Sequence, residues 1–150
     1  MATAASLEDY PLRTFDKLRY GDTDRQGHVN NAVFSTFLET GRVELAFGSG
    51  EDLTDEGCSL VIAHLSLDFV TELLWPGRVD IGTGVIAVGR SSVRMEQALF
   101  QDGRLVALAE TVTVQVNNAT RRGQPLSERA LAYLAGYRKA PLDRGAGAGS

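Results

Sequence analysis

The sequence predicts an α+β domain in which an antiparallel β-sheet wraps around one long helix, with a short helix near the C-terminal end. Two observations predict this class. Residues 34–45 carry apolar side chains at helical spacing, whereas four later segments, between residues 59 and 117, alternate apolar and polar side chains as strands do. A helix with one apolar stripe must bury it against another layer, and a sheet face supplies that layer.

A short strand, predicted from Thr14 to Arg19, precedes the helix. The apolar stripe of the helix consists of Phe34, Phe37, Leu38, Gly41 and Leu45. Gly48 and Gly50 follow this stripe and are predicted to end the helix.

Period-two alternation predicts the sheet. The predicted apolar faces are Val61, Ala63, Leu65, Leu67 and Phe69 in one strand, and Val79, Ile81, Val85 and Ala87 in the next. Segments 92–100 and 104–117 are joined by Gln101-Asp102-Gly103, and Asp-Gly between two alternating runs predicts a hairpin. The segment 104–117 is expected to be a long central strand. A sheet edge or a second face is then left for a partner, and a homodimer would cover it.

The chain is expected to end in a short helix and a tail. Ser127 is placed as the N-cap of the helix. Residues 141–150, rich in glycine and alanine, are predicted to be a disordered tail. We therefore expect a single domain over residues 1–140.

Composition excludes several classes of protein. The 150 residues are 43% hydrophobic and 23% charged, with a net charge of −4, which is typical of globular domains. The acidic balance argues against a nucleic-acid partner, and no apolar run approaches the roughly 20 residues that span a membrane. The first residues lack the features of a secretory signal. The single Cys58 cannot form an intrachain disulfide, which favours a reducing, cytoplasmic location.

The stretch Tyr20–Phe34, YGDTDRQGHVNNAVF, carries more polar residues before the helix than capping requires. By residue type alone, Asp22 and Asp24 are turn residues. Together with the element order, however, this stretch resembles the hot-dog-fold acyl thioesterases of the 4-hydroxybenzoyl-CoA thioesterase type. Its Gly-His-Val-Asn-Asn portion also resembles the plant acyl-ACP thioesterases. The resemblance covers roughly residues 14–137.

The resemblance implies a thioester hydrolase that needs no cofactor. It assigns the catalytic carboxylate to Asp24, acting as a nucleophile or as a general base, and leaves Asp22 in the turn. It assigns the oxyanion donor to the backbone N–H of Asn31, because a helix N-terminus has free N–H groups and a positive dipole. Asn30 is expected to cap the helix or to contribute a side-chain donor.

Two further loop residues have open roles. Gly27 is expected to permit a turn or a close approach of the backbone to the thioester. His28 matches the plant-like pattern and is a candidate to orient a water or relay a proton. The same side chain is equally well explained as a loop histidine bonded to backbone.

The leaving group needs a binding site of its own. Arg90 and Ser91 precede one strand, and Arg121 and Arg122 follow the last long strand, at places where related enzymes hold the nucleotide. These residues are expected to bind the phosphates of coenzyme A or of a pantetheine carrier. No metal site is expected, because two histidines and one cysteine lie far apart in the sequence.

A second mechanism and a second function fit the same residues. A papain-like trio of Cys58, His28 and Asn30 would use the thiol as nucleophile, although Cys58 has no helix N-terminus to lower its pKa. A hot-dog protein that binds acyl-CoA without turnover is the other alternative. Both acyl-CoA and acyl-ACP fit as substrates, and the acidity of the chain favours coenzyme A because acyl carrier protein is itself acidic. The active protein is expected to be a homodimer or homotetramer.

Overall fold

A five-stranded antiparallel sheet and a 14-residue helix form the body of the protein in a computed structural model, which describes residues 5–142. The strands are β1 (Leu12–Lys17), β2 (Cys58–Phe69), β3 (Arg78–Val88), β4 (Ser92–Gln101) and β5 (Arg104–Asn117), and the helices are α1 (Phe34–Phe47) and α2 (Glu128–Ala135). The sheet order is β1-β3-β4-β5-β2. The predicted fold class and element order are confirmed.

The core lies between α1 and one face of the sheet. The buried positions of α1 are the predicted stripe: Phe34, Phe37, Leu38, Gly41 and Leu45. The first part of α1 packs on Val79, Ile81, Leu99, Ala107 and Ala109 of three strands. Full burial of each large apolar side chain is worth about 1.5–3 kcal/mol, so this stripe holds the helix on the sheet.

A buried polar contact sets how closely α1 approaches the sheet. Gln97 is fully buried, and its Nε2 donates hydrogen bonds to Leu38 O (2.9 Å) and Thr83 Oγ1 (3.0 Å). A Cβ at Gly41 would lie 2.5 Å from Thr83 Oγ1 and 2.7 Å from Gln97 Nε2. Glycine at this position therefore lets the backbone of α1 approach the sheet closely enough for Gln97 to bond it.

Two β-bulges correct the predicted strand faces. Ile62 pairs with Thr113 and His64 with Val112, so Ala63 is an extra residue and Val61 does not share a face with Leu65. A bulge at Ile86 likewise turns Ala87 outward, and Ala87 is exposed. One extra residue reverses the alternation, and the period-two pattern contains no sign of it. The first strand also lies two residues earlier than predicted, at Leu12–Lys17.

The sheet has an apolar edge at β2. The predicted central strand, β5, does lie inside the sheet, between β4 and β2. On β2, the strand beyond it, Ile62, Leu65 and Phe69 are 49%, 37% and 51% exposed. The edge left for a partner is therefore β2, and its apolar side chains are on the same side of the sheet as α1.

Other local predictions are confirmed. The β4–β5 hairpin turns through Asp102 (φ 51°) and Gly103 (φ 78°). Ser127 caps α2, because its side chain accepts a hydrogen bond from Ala130 N (3.0 Å). Of the predicted tail, residues 143–150 lie outside the described residues, whereas Leu142 N donates a hydrogen bond to Glu96 Oε1 (2.7 Å).

Gly41→Ala is expected to lower the free energy of unfolding by about 1–2 kcal/mol. Overpacking a core typically costs about 1–3 kcal/mol, and the better helix propensity of alanine offsets up to about 1 kcal/mol of that cost. The measurement is the midpoint of denaturant unfolding. Gly21→Ala is the control, because a Cβ there meets nothing within 4 Å. Equal midpoints for both variants and the wild type would show that Gly41 does not set the approach of the helix.

Candidate active site

The polar loop before α1 is held by backbone hydrogen bonds. Val29 N donates to Leu73 O (2.8 Å), and Asn30 N donates to Asp22 O (2.8 Å). A further bridge pairs His28 with Leu74. These bonds fix the loop to the segment that follows β2, so the side chains of both segments face one space.

The two aspartates of the loop have different surroundings. Asp22 is only 5% exposed, and its Oδ2 accepts a hydrogen bond from Arg19 N (2.9 Å). Its Oδ1 lies 3.3 Å from Arg19 Nη2. Both oxygens of Asp22 are thus used inside the loop, as a turn residue requires.

Asp24 is exposed, and its two oxygens have different environments. Oδ1 accepts hydrogen bonds from Gln26 N (2.8 Å) and His28 N (3.2 Å), within a turn in which Gly27 has φ +81°. Across residues 5–142, no hydrogen bond to Oδ2 is found. The turn therefore orients the carboxylate and leaves one oxygen available for another molecule.

The helix N-terminus lies beside this carboxylate. Asn30 is the cap, because its Oδ1 accepts a hydrogen bond from Ala32 N (3.0 Å). Residues Asn31–Val33 form a 3₁₀ turn that continues into α1. The N–H of Asn31 occupies the first helical position, where no intrahelical acceptor exists. The predicted division of roles, with one asparagine capping and the other at the helix end, is compatible with this geometry.

A cavity of about 370 Å³ brings these groups together. Its lining includes Asp24, His28, Asn31, Phe34, Phe69 and Glu72. The rings of Phe34 and Phe69 meet edge to face at 5.0 Å between centroids, which gives the cavity an apolar wall. Gly27 and Asn30 shape the loop and the helix end and are not part of the lining.

Glu72 is a residue that the sequence analysis missed. Its Oε2 lies 3.1 Å from His28 Nε2, and both side chains line the cavity with Asp24. The pair is about half exposed, so its effect on stability is small and its consequence is the orientation of the imidazole. His28 and Glu72 are 44 positions apart, and the pairing of their two segments, through His28 with Leu74 and Val29 with Leu73, makes them neighbours.

The four predicted phosphate-binding residues form a second group, away from the cavity. Ser91 O accepts a hydrogen bond from Gln115 N (2.8 Å), and a Cβ on Gly123 would lie 3.3 Å from Ser91 Oγ. The loops carrying Arg90–Ser91 and Arg121–Arg122 therefore meet near the end of β5. The cavity lies at the other end of β5, about 30 Å along the strand. One chain does not bring these arginines to Asp24.

The papain-like trio is not assembled within one chain. Cys58 begins β2, whereas His28 lies near the other end of that strand, about 35 Å away. Burial, followed by the charge of Asp55, raises the pKa of the Cys58 thiol. A raised pKa lowers the thiolate fraction that a nucleophile needs.

The described residues hold neither a metal-binding cluster nor a membrane-spanning helix. Among residues 5–142, no group of three or more His, Cys, Asp or Glu side chains is placed to hold a metal ion. No helix in that part of the chain is both long enough and apolar enough to cross a membrane.

A five-stranded antiparallel sheet around one long helix, with a short helix near the C-terminal end, is the hot-dog fold. The Thioesterase-like superfamily model matches residues 18–134, and the chain belongs to this superfamily. The protein is a thioester hydrolase of the hot-dog fold, as its loop motif and element order predicted.

Individual relatives agree with this assignment. The 1,4-dihydroxy-2-naphthoyl-CoA hydrolase of Synechococcus elongatus is 27% identical over 133 residues, which cover 85% of this chain and 96% of that protein. A crystal structure of a Pseudomonas aeruginosa protein has a TM-score of 0.81 and 26% identity, over 91% of this chain and 98% of that one. A crystal structure of a Thermus thermophilus thioesterase complexed with coenzyme A and zinc has a TM-score of 0.72 and 28% identity, over 85% of this chain and 93% of that chain.

Proposed function

We propose that the protein hydrolyses acyl-CoA thioesters and that Asp24 supplies the catalytic carboxylate. The observation that carries this proposal is the Asp24 carboxylate in one cavity with the N-terminus of α1. One oxygen of Asp24 is held by two backbone N–H groups, and the other is left for the substrate. Relatives named as a CoA hydrolase and as a thioesterase complexed with coenzyme A support the choice of carrier.

The reaction needs a nucleophile at the thioester carbonyl carbon. In one route, Oδ2 of Asp24 attacks, the C–S bond breaks, and water then hydrolyses the mixed anhydride. In the other route, Asp24 takes a proton from a water that attacks directly. Both routes expel the thiolate of the carrier, which takes up a proton to give the free thiol. The geometry around Asp24 suits either route, since Oδ1 stays fixed in both.

The helix end stabilises the transition state in this proposal. Negative charge develops on the carbonyl oxygen as the tetrahedral centre forms, and the N–H of Asn31 is a fixed donor for it. A backbone donor of this kind needs no reorganisation during the reaction. Phe34 and Phe69 exclude water from one side of the cavity, which strengthens the electrostatic effect.

Coenzyme A is the preferred carrier in this proposal. The chain has a net charge of −4, which disfavours an acidic carrier protein. The similarity to plant acyl-ACP thioesterases and a cytoplasmic location stay predictions from the sequence.

Asp24→Asn is expected to reduce kcat by on the order of 10³-fold or more, the scale seen when a group that acts in the transition state is removed. Asparagine keeps Oδ1 as an acceptor for Gln26 N and His28 N, so the loop is expected to keep its shape. The measurement is thiol release from an acyl-CoA panel, with acyl-CoA binding followed by calorimetry.

Asn31→Ala is the matched control for this prediction. It removes a neighbouring cavity side chain but keeps the backbone N–H. The activation free energy of hydrolysis is therefore expected to rise by less than about 1 kcal/mol. Near wild-type hydrolysis by purified Asp24→Asn would overturn the assignment of the carboxylate.

The second proposal for the site is that Glu72 positions His28. We expect Glu72→Gln and His28→Gln each to lower kcat by on the order of 10-fold. The first variant leaves the imidazole of His28 without its partner and the second removes the imidazole, and a misplaced group in the active site slows the reaction. The double variant should be no worse than either single variant, since the two residues act as a unit. Unfolding free energies should change by less than about 1 kcal/mol, as for an exposed pair.

Glu51→Gln is the control for this pair. Glu51 lies 3.4 Å from Arg129 in a comparable exposed pair and is remote from the cavity. Strictly additive losses in the double variant would refute the positioning role.

We further propose that the active protein is a homodimer, at least, formed through the edge of β2. A two-fold axis through the middle of β2 pairs the strand with its own copy in antiparallel fashion. That rotation puts the Cys58 end of one β2 beside the Phe69 end of the other. It covers the exposed side chains of Ile62, Leu65 and Phe69.

The same axis gives the predicted arginines a role. Cys58 pairs with Asn117, so Arg121 and Arg122 follow β5 next to the Cys58 end of β2. In the proposed dimer they approach the Phe69 end of the partner's β2, where the partner's cavity opens. The four residues Arg90, Ser91, Arg121 and Arg122 are then placed to bind the phosphates of a coenzyme A whose thioester lies at the other subunit.

Leu65→Lys is expected to shift the protein from dimer to monomer and to abolish turnover, because it puts a charge at the middle of the proposed interface. Leu65 is already 37% exposed in the single chain, so the monomer should remain folded. Sedimentation velocity at micromolar concentration gives the mass. The control is Phe15→Lys at the opposite edge, on β1, where Phe15 is 57% exposed. A folded, active wild-type monomer would exclude this interface.

A further inference from the structure

Two cavities lie along the strip between α1 and β2, and we call this strip the groove. The Asp24 cavity lies at one end of it, where Phe34 of α1 meets Phe69 of β2. A cavity of about 420 Å³ lies at the other end, beside the second half of α1 and the first half of β2. The apolar part of its lining includes Val43, Leu60, Ile62 and Met95. Between the two cavities, Leu65 and Leu67 of β2 lie on the same face of the strand as Ile62 and Phe69.

Among residues 5–142, Arg42 is the one cation in the lining of this cavity, which also includes the carboxylates of Glu39 and Asp52. Its side chain is half buried, and its Nη1 donates a hydrogen bond to Gln97 Oε1 (3.3 Å). Gln97 is fully buried and uses its Nε2 on Leu38 O and Thr83 Oγ1, so its Oε1 is the atom that faces Arg42. The guanidinium is thus held by a fixed acceptor in the core.

Within residues 5–142, Arg42 has more hydrogen-bond donors than protein acceptors. A guanidinium has five N–H donors, and a single hydrogen bond from Arg42 is found within residues 5–142. In that part of the chain it has no carboxylate within ion-pair distance, although Glu39 and Asp52 also line the cavity. Burial lowers the pKa of Arg42, and the charge of Glu39 acts in the opposite direction. An arginine remains charged under these conditions and attracts an acceptor.

Among the described residues, a polar group without a partner lies in the core near this cavity, outside its lining. Thr111 of β5 is completely buried, and its Oγ1 has no hydrogen-bond partner within the described residues. Thr111 lies two positions from Thr113, which lines the same cavity, and so shares its face of β5. An unpaired buried hydroxyl costs about 1–3 kcal/mol, which makes it uncommon in a core that serves packing alone.

We propose that this groove receives the acyl group and that Arg42 recognises an oxygen acceptor at the end remote from the thioester. The preferred substrates are then acyl groups that end in a carboxylate or a hydroxyl, rather than plain hydrocarbons. This inference rests on the proposed hydrolysis at Asp24. The planar fork of Arg42 matches a carboxylate with two hydrogen bonds and a hydroxyl with one.

The helix sets the length of the substrate. Asn31 and Arg42 are eleven residues apart, which is about 16 Å along the axis of the helix. The Arg42 side chain leans back toward the helix N-terminus, as helical side chains do, and shortens that span. The remaining distance, on the order of 10 Å, suits a chain of about eight carbons or a fused two-ring aromatic group.

The first experiment compares matched substrates of the wild-type protein. Suberoyl-CoA is set against octanoyl-CoA for the carboxylate, and 6-hydroxy-2-naphthoyl-CoA against 2-naphthoyl-CoA for the hydroxyl. The acceptor-bearing member of at least one pair is expected to have a kcat/KM about 10-fold higher or more, the effect of one hydrogen bond to a charged group. Equal or lower values in both pairs would overturn the proposal without any variant.

The second experiment replaces Arg42 by methionine, which keeps much of the length of the side chain and removes every donor. The preference ratio is expected to fall close to one in Arg42→Met. Arg94→Met is the control, because Arg94 pairs with Glu110 on the other face of the sheet, and it should keep the wild-type ratio. If Arg42→Met does not fold, Arg42→Gln removes the charge while keeping a donor for Gln97 Oε1.

The outcomes separate this inference from the proposed function. An unchanged ratio in the Arg42 variants, or an equal loss on both members of each pair, would refute the recognition role and leave catalysis by Asp24 intact. Full turnover by Asp24→Asn would refute the catalytic assignment, whereas the ratio would still report on Arg42. Sedimentation of each variant shows whether a loss instead follows from dissociation of the subunits.

Discussion

The close packing of α1 on the sheet is the contact on which the rest of the structure depends. Gly41 has no side chain, so the helix backbone comes near enough for Gln97 to bond Leu38 O from the sheet. This contact fixes the position of α1 along and above the strands. Because a helix is rigid, it also fixes both ends of the groove: the N–H of Asn31 at one end and the guanidinium of Arg42 toward the other. This packing therefore places the proposed oxyanion donor and the proposed selectivity group on the same helix.

The loop before α1 shows how one carboxylate can hold a turn and still keep an oxygen for the proposed chemistry. Residue type alone favoured a turn role for Asp24, and the resemblance to thioesterases favoured catalysis. The structure shows that these roles do not compete, because Oδ1 bonds the turn through Gln26 N and His28 N. Oδ2 has no such partner within residues 5–142, and it is the oxygen that the proposed reaction uses. A turn that holds one oxygen is an economical way to orient the other, since the orienting bonds form during folding rather than during the reaction.

The features predicted well from the sequence are the local ones. The stripe of α1 was correct at every position because helical periodicity is regular over its whole length. Asp24, His28 and Asn31 lie within eight consecutive positions, so a short loop brings them to one cavity.

The features that were missed depend on longer range. Glu72 reaches His28 only through the pairing of distant segments, and the bulges at Ala63 and Ile86 each reverse a strand face by one extra residue. The arginine loops meet one another as a result of sheet order, and their distance from Asp24 is set by the length of β5.

The two faces of the sheet are covered to different extents, and this difference explains where the candidate active site lies. On the face opposite α1, Glu96 is buried and accepts hydrogen bonds from the Tyr10 hydroxyl (2.8 Å) and Lys139 Nζ (2.6 Å). A Cβ on Gly82 would lie 2.6 Å from the Tyr10 ring, so glycine lets that ring rest on the sheet. Segments from near both ends of the chain thus close the outer face with their own side chains. On the face of α1, Ala130 and Leu134 of α2 pack with Leu45 of α1 and Met95 of β4, and the β2 side of that face is left uncovered. The groove with its two cavities lies there, and the proposed dimer covers it with a second copy while leaving the Asp24 end open to the carrier.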